Sequence, residues 1–459
     1  MLLTRMAKAL RALTVAAAAT LALATPAAAQ GLIRDAEIEA LLRDYADPLL
    51  EAAGLDPDSV EILIVNDPTP NAFVASGQKM FIHTGLIIAT ETPNELIGVM
   101  AHETGHIAGG HLARSREAME LSMRPAFISI GLGILAIAAG APDAGAALLS
   151  GAGQFAQGNF VRHTQVQESA ADQAAVRYLE QTGQSGEGLI SFFNREFRPS
   201  EFMVRRAPAY VLTHPFTSDR VESLRVNVEA AQTAQATDSP ESVRRYALMK
   251  AKLIGFLEPP GRVLAAYPES DRSQPGRYAR SVSAYREARL DRAVALVQSL
   301  IDESPDNPYY NELMGQILFE NGRAAESLPF NQRALALSPD APLLKIAVAR
   351  SLVGARGRDG ATEALRLLQS AVAAEPDNAF AWREMSIAHD LLGQDGLARL
   401  ASAEQAYALG DLFQARSFAE RARQNLTEGT PSWRRAGDII ASARVQMQDE
   451  NGRERPRRG

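Results

Sequence analysis

A proline-aspartate pair that recurs along the C-terminal part of the chain places the strongest constraint on its fold. The pairs Pro305-Asp306, Pro339-Asp340 and Pro376-Asp377 lie 34 and 37 residues apart, and each follows a segment with helical periodicity. Proline cannot continue a helix, because it lacks the amide hydrogen and its ring clashes with the preceding turn. A period of this length therefore predicts stacked units of two helices, which bury a core only where neighbouring units pack together.

The residues between these pairs resemble the tetratricopeptide repeat. One unit carries Trp382, Met385, His389, Gly393 and Ala398 at the expected offsets. Small residues recur at corresponding places in other units: Gly322, Gly410, Ala293 and Ala415. Two serines depart from the pattern, since Ser327 replaces the expected Ala and Ser386 the expected Gly. The resemblance implies an α-solenoid of about four units between residues 281 and 430. An ordinary helical bundle is the alternative.

The first residues have the composition of an export signal. Arg5, Lys8 and Arg11 precede an apolar run over 12–24, and three alanines that end at Ala29 follow. A basic segment, a short apolar segment and small residues in this order predict a secretory signal peptide that is cleaved after Ala29.

These features divide the chain into five segments. They are a signal peptide at 1–29, a first folded domain at 30–260, a proline-containing linker at 261–280, the repeat domain at 281–445 and a disordered tail at 446–459. The net charge of −7 argues against a polyanion partner, so no nucleic acid is expected.

A His-Glu-x-x-His motif in the first domain points to a metal site. His102 and His106 are four residues apart, so on a helix they share one face and can bind a single ion. Glu103 would then lie beside the open position of a zinc ion, where it can take a proton from water. The chain has no cysteine, so histidines and carboxylates must supply all the ligands.

The third ligand has to come from elsewhere in the chain. His111 follows His106 one residue too early for the metzincin pattern. Glu168 and Asp172 are four residues apart in a helical segment, and the small residues between them allow close packing of two helices. Glu168 is therefore predicted to complete the site, and Asp172 to orient a ligating histidine by accepting its second N–H.

The rest of the first domain predicts a small amount of β-structure within a mainly α fold. Residues 61–65 predict a strand, 71–75 and 79–83 a hairpin, and 30–60 a helix. The segment that begins at Pro93 predicts the helix that carries the histidines.

Together these motifs resemble the gluzincin peptidases of the HtpX and CAAX prenyl protease group. Asn71-Ala72-Phe73 looks like the edge-strand motif of that family, Thr84-Gly85-Leu86 like its pre-helix motif, and His214-Pro215 with Arg220 like its His-Pro…Arg motif. The resemblance implies a gluzincin-type zinc metalloendopeptidase with one Zn²⁺ per chain, located in the bacterial periplasm. It also implies degradation of misfolded or misassembled outer-membrane proteins, assistance in their assembly, and contact of the repeats with the outer-membrane β-barrel assembly machinery.

Two residues keep alternative roles. The resemblance implies that His214 can cap the zinc as a regulatory fourth ligand, which would close the open position; the alternative is a structural histidine. Arg220 is a candidate catalytic residue that stabilises the oxyanion of the intermediate, or else it pairs with a carboxylate such as Asp172.

An apolar, Gly- and Ala-rich segment at 125–150 also allows more than one interpretation. It is either a buried or lid-like helix pair or a hairpin that gives peripheral membrane contact. An integral membrane peptidase is a further reading of the same segment. The competing function for the whole chain is a chaperone or scaffold of the repeat domain whose peptidase site is normally capped.

Overall fold

The computed structural model describes residues 31–75, 78–111, 164–196, 214 and 218–454. The predicted signal peptide and the apolar segment 125–150 lie outside the described residues. The chain forms two compact units: one contains the residues up to Arg34 and Glu39–Tyr246, and the other contains Asp35–Ile38 and Ala247–Gly459. Within the described ranges, no helix combines the length and the apolar character needed to span a membrane.

The first unit contains a mixed four-stranded sheet. Its strands are β1 (Leu32–Ile33), β2 (Glu61–Val65), β3 (Ala72–Ala75) and β4 (Lys79–His83), in the order β1-β2-β4-β3. Strands β3 and β4 form an antiparallel hairpin in which the stacked rings of Phe73 and Phe81 lie 4.9 Å apart, and β2 runs parallel to β4. The strand and the hairpin predicted from sequence are confirmed, and β3 is the last strand of this order.

Helices make up the rest of the first unit. They are α1 (Ala36–Ala52), α2 (Thr84–Ala89), α3 (Pro93–Ala108), α4 (164–181), α5 (Glu187–Glu196), α6 (Ser218–Ala230) and the beginning of α7 (Pro240–Leu257). The helix predicted over 30–60 is shorter than expected, because Leu32 and Ile33 pair with β2 instead.

The helix that carries the histidine pair is anchored at its first turn. The Thr92 side chain accepts a hydrogen bond from the Glu95 amide, and Glu95 in turn accepts one from the Glu91 amide at 2.7 Å. Arg195 on α5 donates to both carboxylate oxygens of Glu95, each at 2.6 Å. This ion pair ties the start of α3 to α5; Glu95 is only 2% exposed, and Arg195 is partly exposed.

The second unit is a succession of helices. They are α8 (Pro260–Ala266), α9 (Gln274–Arg286), α10 (Leu290–Glu303), α11 (Pro308–Glu320), α12 (Ala324–Leu337), α13 (Pro342–Arg356), α14 (Arg358–Ala374), α15 (Ala379–Leu391), α16 (Asp395–Ala408), α17 (Leu412–Asn425) and α18 (Pro431–Glu454). The segment 261–280, expected as a linker, contains most of α8 and the start of α9. Prolines begin these helices because the first turn needs no intrahelical amide donor. The segment 446–459, expected as a tail, contains the end of α18.

Successive helices of the second unit pack as the repeat pattern predicts. The three glycines expected at inter-helix turns have positive φ angles of 76°, 73° and 76°: Gly322, Gly393 and Gly410. The three alanines expected where helices approach closely are all buried: Ala293, Ala398 and Ala415. The α-solenoid of tetratricopeptide-like repeats is therefore confirmed.

A buried cluster of charges lies inside the second unit. Lys252, 2% exposed, places its Nζ 2.7 Å from Asp35, 3.4 Å from Glu37 and 3.6 Å from Glu312. The Tyr278 hydroxyl donates a 2.7 Å hydrogen bond to Glu37. One ammonium group thus faces three carboxyl groups in a site that solvent barely reaches.

Candidate metal centre

Two helices bring the predicted ligands together. His102 and His106 lie on the buried face of α3, and Glu168 lies on α4, which packs closely against it. The close approach depends on Gly105, since a Cβ at this position would lie 2.9 Å from the carbonyl oxygen of Ala171 on α4. The helical spacing of the motif and the small residues of α4 therefore act together to form the site.

Four side chains offer atoms that fit around one ion. The Nε2 atom of His102 lies 3.1 Å from His106 Nε2, 3.3 Å from His214 Nδ1 and 3.4 Å from a Glu168 oxygen. Glu168 also lies 3.4 Å from His106 Nε2 and 3.1 Å from His214 Nδ1. Tetrahedral zinc with bonds of 2.0–2.1 Å separates its ligand atoms by about 3.3 Å. The donor set and its spacing therefore fit zinc.

A second layer of side chains contacts these potential ligands. His102 Nδ1 lies 2.9 Å from Asp172, and Arg220 contacts Asp172 at 2.5 Å and Glu168 at 2.8 Å. Burial alone would raise the pKa of the Asp172 carboxyl, but hydrogen bonds from Arg220 and His102 outweigh it and lower that pKa. The guanidinium group of Arg220 thus contacts two carboxylates. This favours the alternative in which Arg220 pairs with Asp172 over a direct role in catalysis.

Glu103 differs from the other carboxylates of the site. It is fully buried, and neither oxygen has a hydrogen-bond partner among the described residues. One oxygen lies 3.3 Å from His214 Nε2. Burial raises the pKa of Glu103 and outweighs the attraction of His214 and His102. A buried carboxylate without hydrogen bonds is costly, and a raised pKa suits a general base.

The structure also places His111 in the site, where the sequence predicted no role for it. Its Nδ1 atom lies 3.0 Å from His106 Nδ1, on the opposite side of the His106 ring from the ligand cluster. The signal in the sequence is that a ligating histidine needs a partner for its second nitrogen. Spacing alone could show only that His111 does not fit the metzincin pattern.

A set of potential metal ligands beside a buried glutamate without hydrogen bonds to the described residues is the arrangement of a zinc metallopeptidase. Such enzymes hold the ion on histidine and carboxylate ligands and keep one carboxylate for proton transfer. Residues 33–228 match the model of Peptidase family M48, so this part of the chain is similar to the metallopeptidases of that family. Zinc is the metal on which peptidases of this family depend.

Similar proteins extend the match beyond this domain. The Beta-barrel assembly-enhancing protease of Yersinia pestis is 26% identical over 388 residues, which cover 82% of this chain and 78% of the relative. That of Escherichia coli K12 is 24% identical over 414 residues, 87% and 81% of the two chains. Mitochondrial metalloendopeptidase OMA1 of Saccharomyces cerevisiae is 28% identical over 187 residues, 39% and 50%. The crystal structure of MamA covers 38% of this chain and 96% of its own at 14% identity, with a TM-score of 0.29, a likeness too weak to bear on the fold.

Proposed function

We propose that this protein is a zinc-dependent endopeptidase of the bacterial cell envelope that degrades misfolded or misassembled outer-membrane proteins and assists their assembly. The observation that carries the proposal is the near-tetrahedral spacing of the four ligand atoms beside Glu103, a buried carboxylate without hydrogen bonds to the described residues. Support for the envelope role comes from the length of the match to β-barrel assembly-enhancing proteases, which covers more than four fifths of this chain.

Each residue of the site has a proposed role. His102, His106 and Glu168 hold the zinc ion. Asp172 accepts the second N–H of His102 and so fixes its ring. Arg220 holds Asp172 and Glu168 in place by forming an ion pair with each of these buried carboxylates.

The proposed chemistry is hydrolysis of a peptide bond. Zinc at this site would polarise the scissile carbonyl and make a water molecule more acidic. Glu103 accepts the proton of the attacking water and passes it to the leaving amine. An extended substrate chain can add to β3, whose position at the end of the strand order offers backbone groups for pairing. That mode of binding selects unfolded polypeptides.

His214 is proposed as a regulatory fourth ligand. Its Nδ1 lies 3.3 Å from His102 Nε2 and 3.1 Å from a Glu168 oxygen, as expected for two ligands of one ion. Its Nε2 lies 3.3 Å from Glu103. In this position the ring fills the place that the attacking water needs and also contacts the base. These contacts support a closed site, which displacement of His214 would open.

The proposal extends to location and partners. We infer that residues 1–29 are removed on export to the periplasm, that 30–260 form the peptidase domain, and that the repeats from 281 to 445 bind the outer-membrane β-barrel assembly machinery. Solenoids of this type present an extended surface for protein partners. The segment 125–150 lies outside the described residues, and both of its interpretations, a buried or lid-like helix pair and a peripheral membrane contact, stay predictions.

The scaffold alternative is less well supported, because the similar proteins are named as proteases and metalloendopeptidases. The two functions are separated by zinc content and casein cleavage of the mature protein and of two variants, Glu103→Gln and His214→Ala. Glu51→Gln, at an exposed position of α1, is the matched control.

A capped peptidase predicts about one zinc per chain, no cleavage by Glu103→Gln, faster cleavage by His214→Ala, and an unchanged control. A parent protein that binds no zinc, together with variants that cleave nothing, would overturn the proposal. Slower cleavage by His214→Ala would reject the cap alone.

A further inference from the structure

The two ligating histidines of α3 differ in what supports their second ring nitrogen. His102 uses the carboxylate of Asp172, at 2.9 Å. His106 instead faces another imidazole, since its Nδ1 lies 3.0 Å from Nδ1 of His111. Such partners fix the tautomer and the orientation of a ligating ring. The nature of this partner therefore matters for the metal site.

We propose that His111 is a positioning residue of the metal centre, and that its imidazole accepts a hydrogen bond from Nδ1–H of His106. The inference rests on the proposed role of His106 as a zinc ligand. A histidine that binds zinc through Nε2 carries its only ring proton on Nδ1. His106 must therefore donate across the 3.0 Å contact, and His111 must accept on its own Nδ1 and carry its proton on Nε2.

The chain around His111 is shaped to hold the ring in this place. A Cβ on residue 109 would lie 2.4 Å from His111 Nε2, so only glycine leaves room for the imidazole. Gly110 turns the chain with a φ of 59°, which favours glycine as well. The planes of the His106 and His111 rings are inclined at 82°, with centroids 4.9 Å apart, so the edge of one ring meets the other.

A residue of α4 fixes the backbone of the same turn. Gln167 is buried, and its side-chain amide donates a 3.1 Å hydrogen bond to the carbonyl oxygen of His111. Gln167 directly precedes Glu168 in the sequence. The position of His111 is therefore coupled to the helix that supplies the third ligand, and His111 itself is 5% exposed.

The expected consequence is a loss of metal affinity without loss of the fold. Without an acceptor at 111, the ring of His106 can rotate about its last side-chain torsion, and the Nε2 tautomer competes. Removal of such a partner weakens metal binding by about 10–100-fold. A carboxylate, as at Asp172, adds a negative charge to the site, whereas a neutral imidazole supplies only direction.

The test measures the zinc dissociation constant of the full chain by competition with a chromophoric chelator. His111→Phe keeps the ring but has no acceptor, and His111→Asn places an oxygen near the site of the original Nδ1. We expect about 10–100-fold weaker binding for His111→Phe and recovery of most of the affinity for His111→Asn. His389→Ala, a buried histidine of the repeats, is the control and should bind zinc like the parent.

Equal losses for the Phe and Asn variants, or affinities that match the parent for both, would overturn the proposal. Thermal unfolding of the metal-free proteins checks that a loss of affinity does not reflect a loss of folding. His102→Ala distinguishes a failure of the proposed zinc site from a failure of the proposed role of His111. If that variant still binds zinc tightly, the proposed zinc site is wrong, whatever the effect of the His111 variants.

Discussion

The close contact of α3 and α4 makes Gly105→Ala a sharp test of how the site is assembled. A Cβ at 105 would lie 2.9 Å from the carbonyl oxygen of Ala171, 3.0 Å from its Cα and 3.3 Å from Ala174 Cβ. Carbon atoms pack best at about 3.5–4.0 Å, so the two helices must separate by about 0.5 Å or more. The methyl group would meet backbone, which cannot turn aside as a flexible side chain can.

The expected loss falls on metal binding more than on stability. Zinc sites tolerate ligand displacements of about 0.2 Å, so a shift of Glu168 by about 0.5 Å should weaken zinc binding by about tenfold or more. Overpacking costs about 1–3 kcal/mol, but replacing glycine by alanine in a helix returns about 1 kcal/mol. The net change in the free energy of unfolding is therefore a loss of about 0–2 kcal/mol.

Competition with a chelator measures the zinc affinity. Urea unfolding of the metal-free protein measures the free energy of unfolding. Gly437→Ala on α18 is the matched control, because a Cβ there has no neighbour closer than 3.9 Å. That variant should gain about 1 kcal/mol and bind zinc normally. A Gly105→Ala protein that gains the same stability and keeps its zinc affinity within twofold would refute the role of this contact.

Four further outcomes are expected. Arg220→Met leaves two buried carboxylates without their cation and should cost about 3–5 kcal/mol in urea unfolding of the first unit. Arg195→Ala breaks the pair with Glu95 and should lower the free energy of unfolding by about 2 kcal/mol. This loss is smaller than that for Arg220→Met because Arg195 is partly exposed. Burial raises the pKa of Glu312 from 4.5 to about 7 despite the attraction of Lys252. Between these two pKa values the folded second unit keeps a proton that the unfolded chain releases, so its stability should fall as the pH rises from 4.5 to about 7. Glu312→Gln should make the stability less dependent on pH in this range. Chelation of zinc should lower the unfolding temperature of the first unit and leave the second unchanged.

Local patterns predicted most of the fold. The hairpin at 71–83 follows from alternation around a turn, and the helix pairs of the second unit follow from the period of the Pro-Asp pairs. Prolines at 260 and 275 were harder to interpret, because the same residue that ends a helix also begins one. A composition rich in proline therefore predicts a linker where the chain is helical.

Parts of the site depend on contacts that no local pattern encodes. His102 and His106 could be assigned from their spacing, because one helix carries both. The pairing of Arg220 with Asp172 joins residues 48 positions apart, so the sequence could only leave two roles open. The contact of His111 with His106 depends on the direction of one turn after α3, and that direction is set by glycines whose φ angles a pattern does not give.

The anchoring of α3 has a consequence for how access to the site can change. The 16-residue helix is fixed at its start by Glu95 and Arg195, and just beyond its end His111 is bonded to Gln167. A helix held by side-chain contacts at both ends should stay in place. Its amide hydrogens should therefore exchange with solvent only on unfolding of the whole unit. Displacement of His214, the proposed fourth ligand, therefore does not require any movement of α3 or of the histidines and Glu103 that it carries.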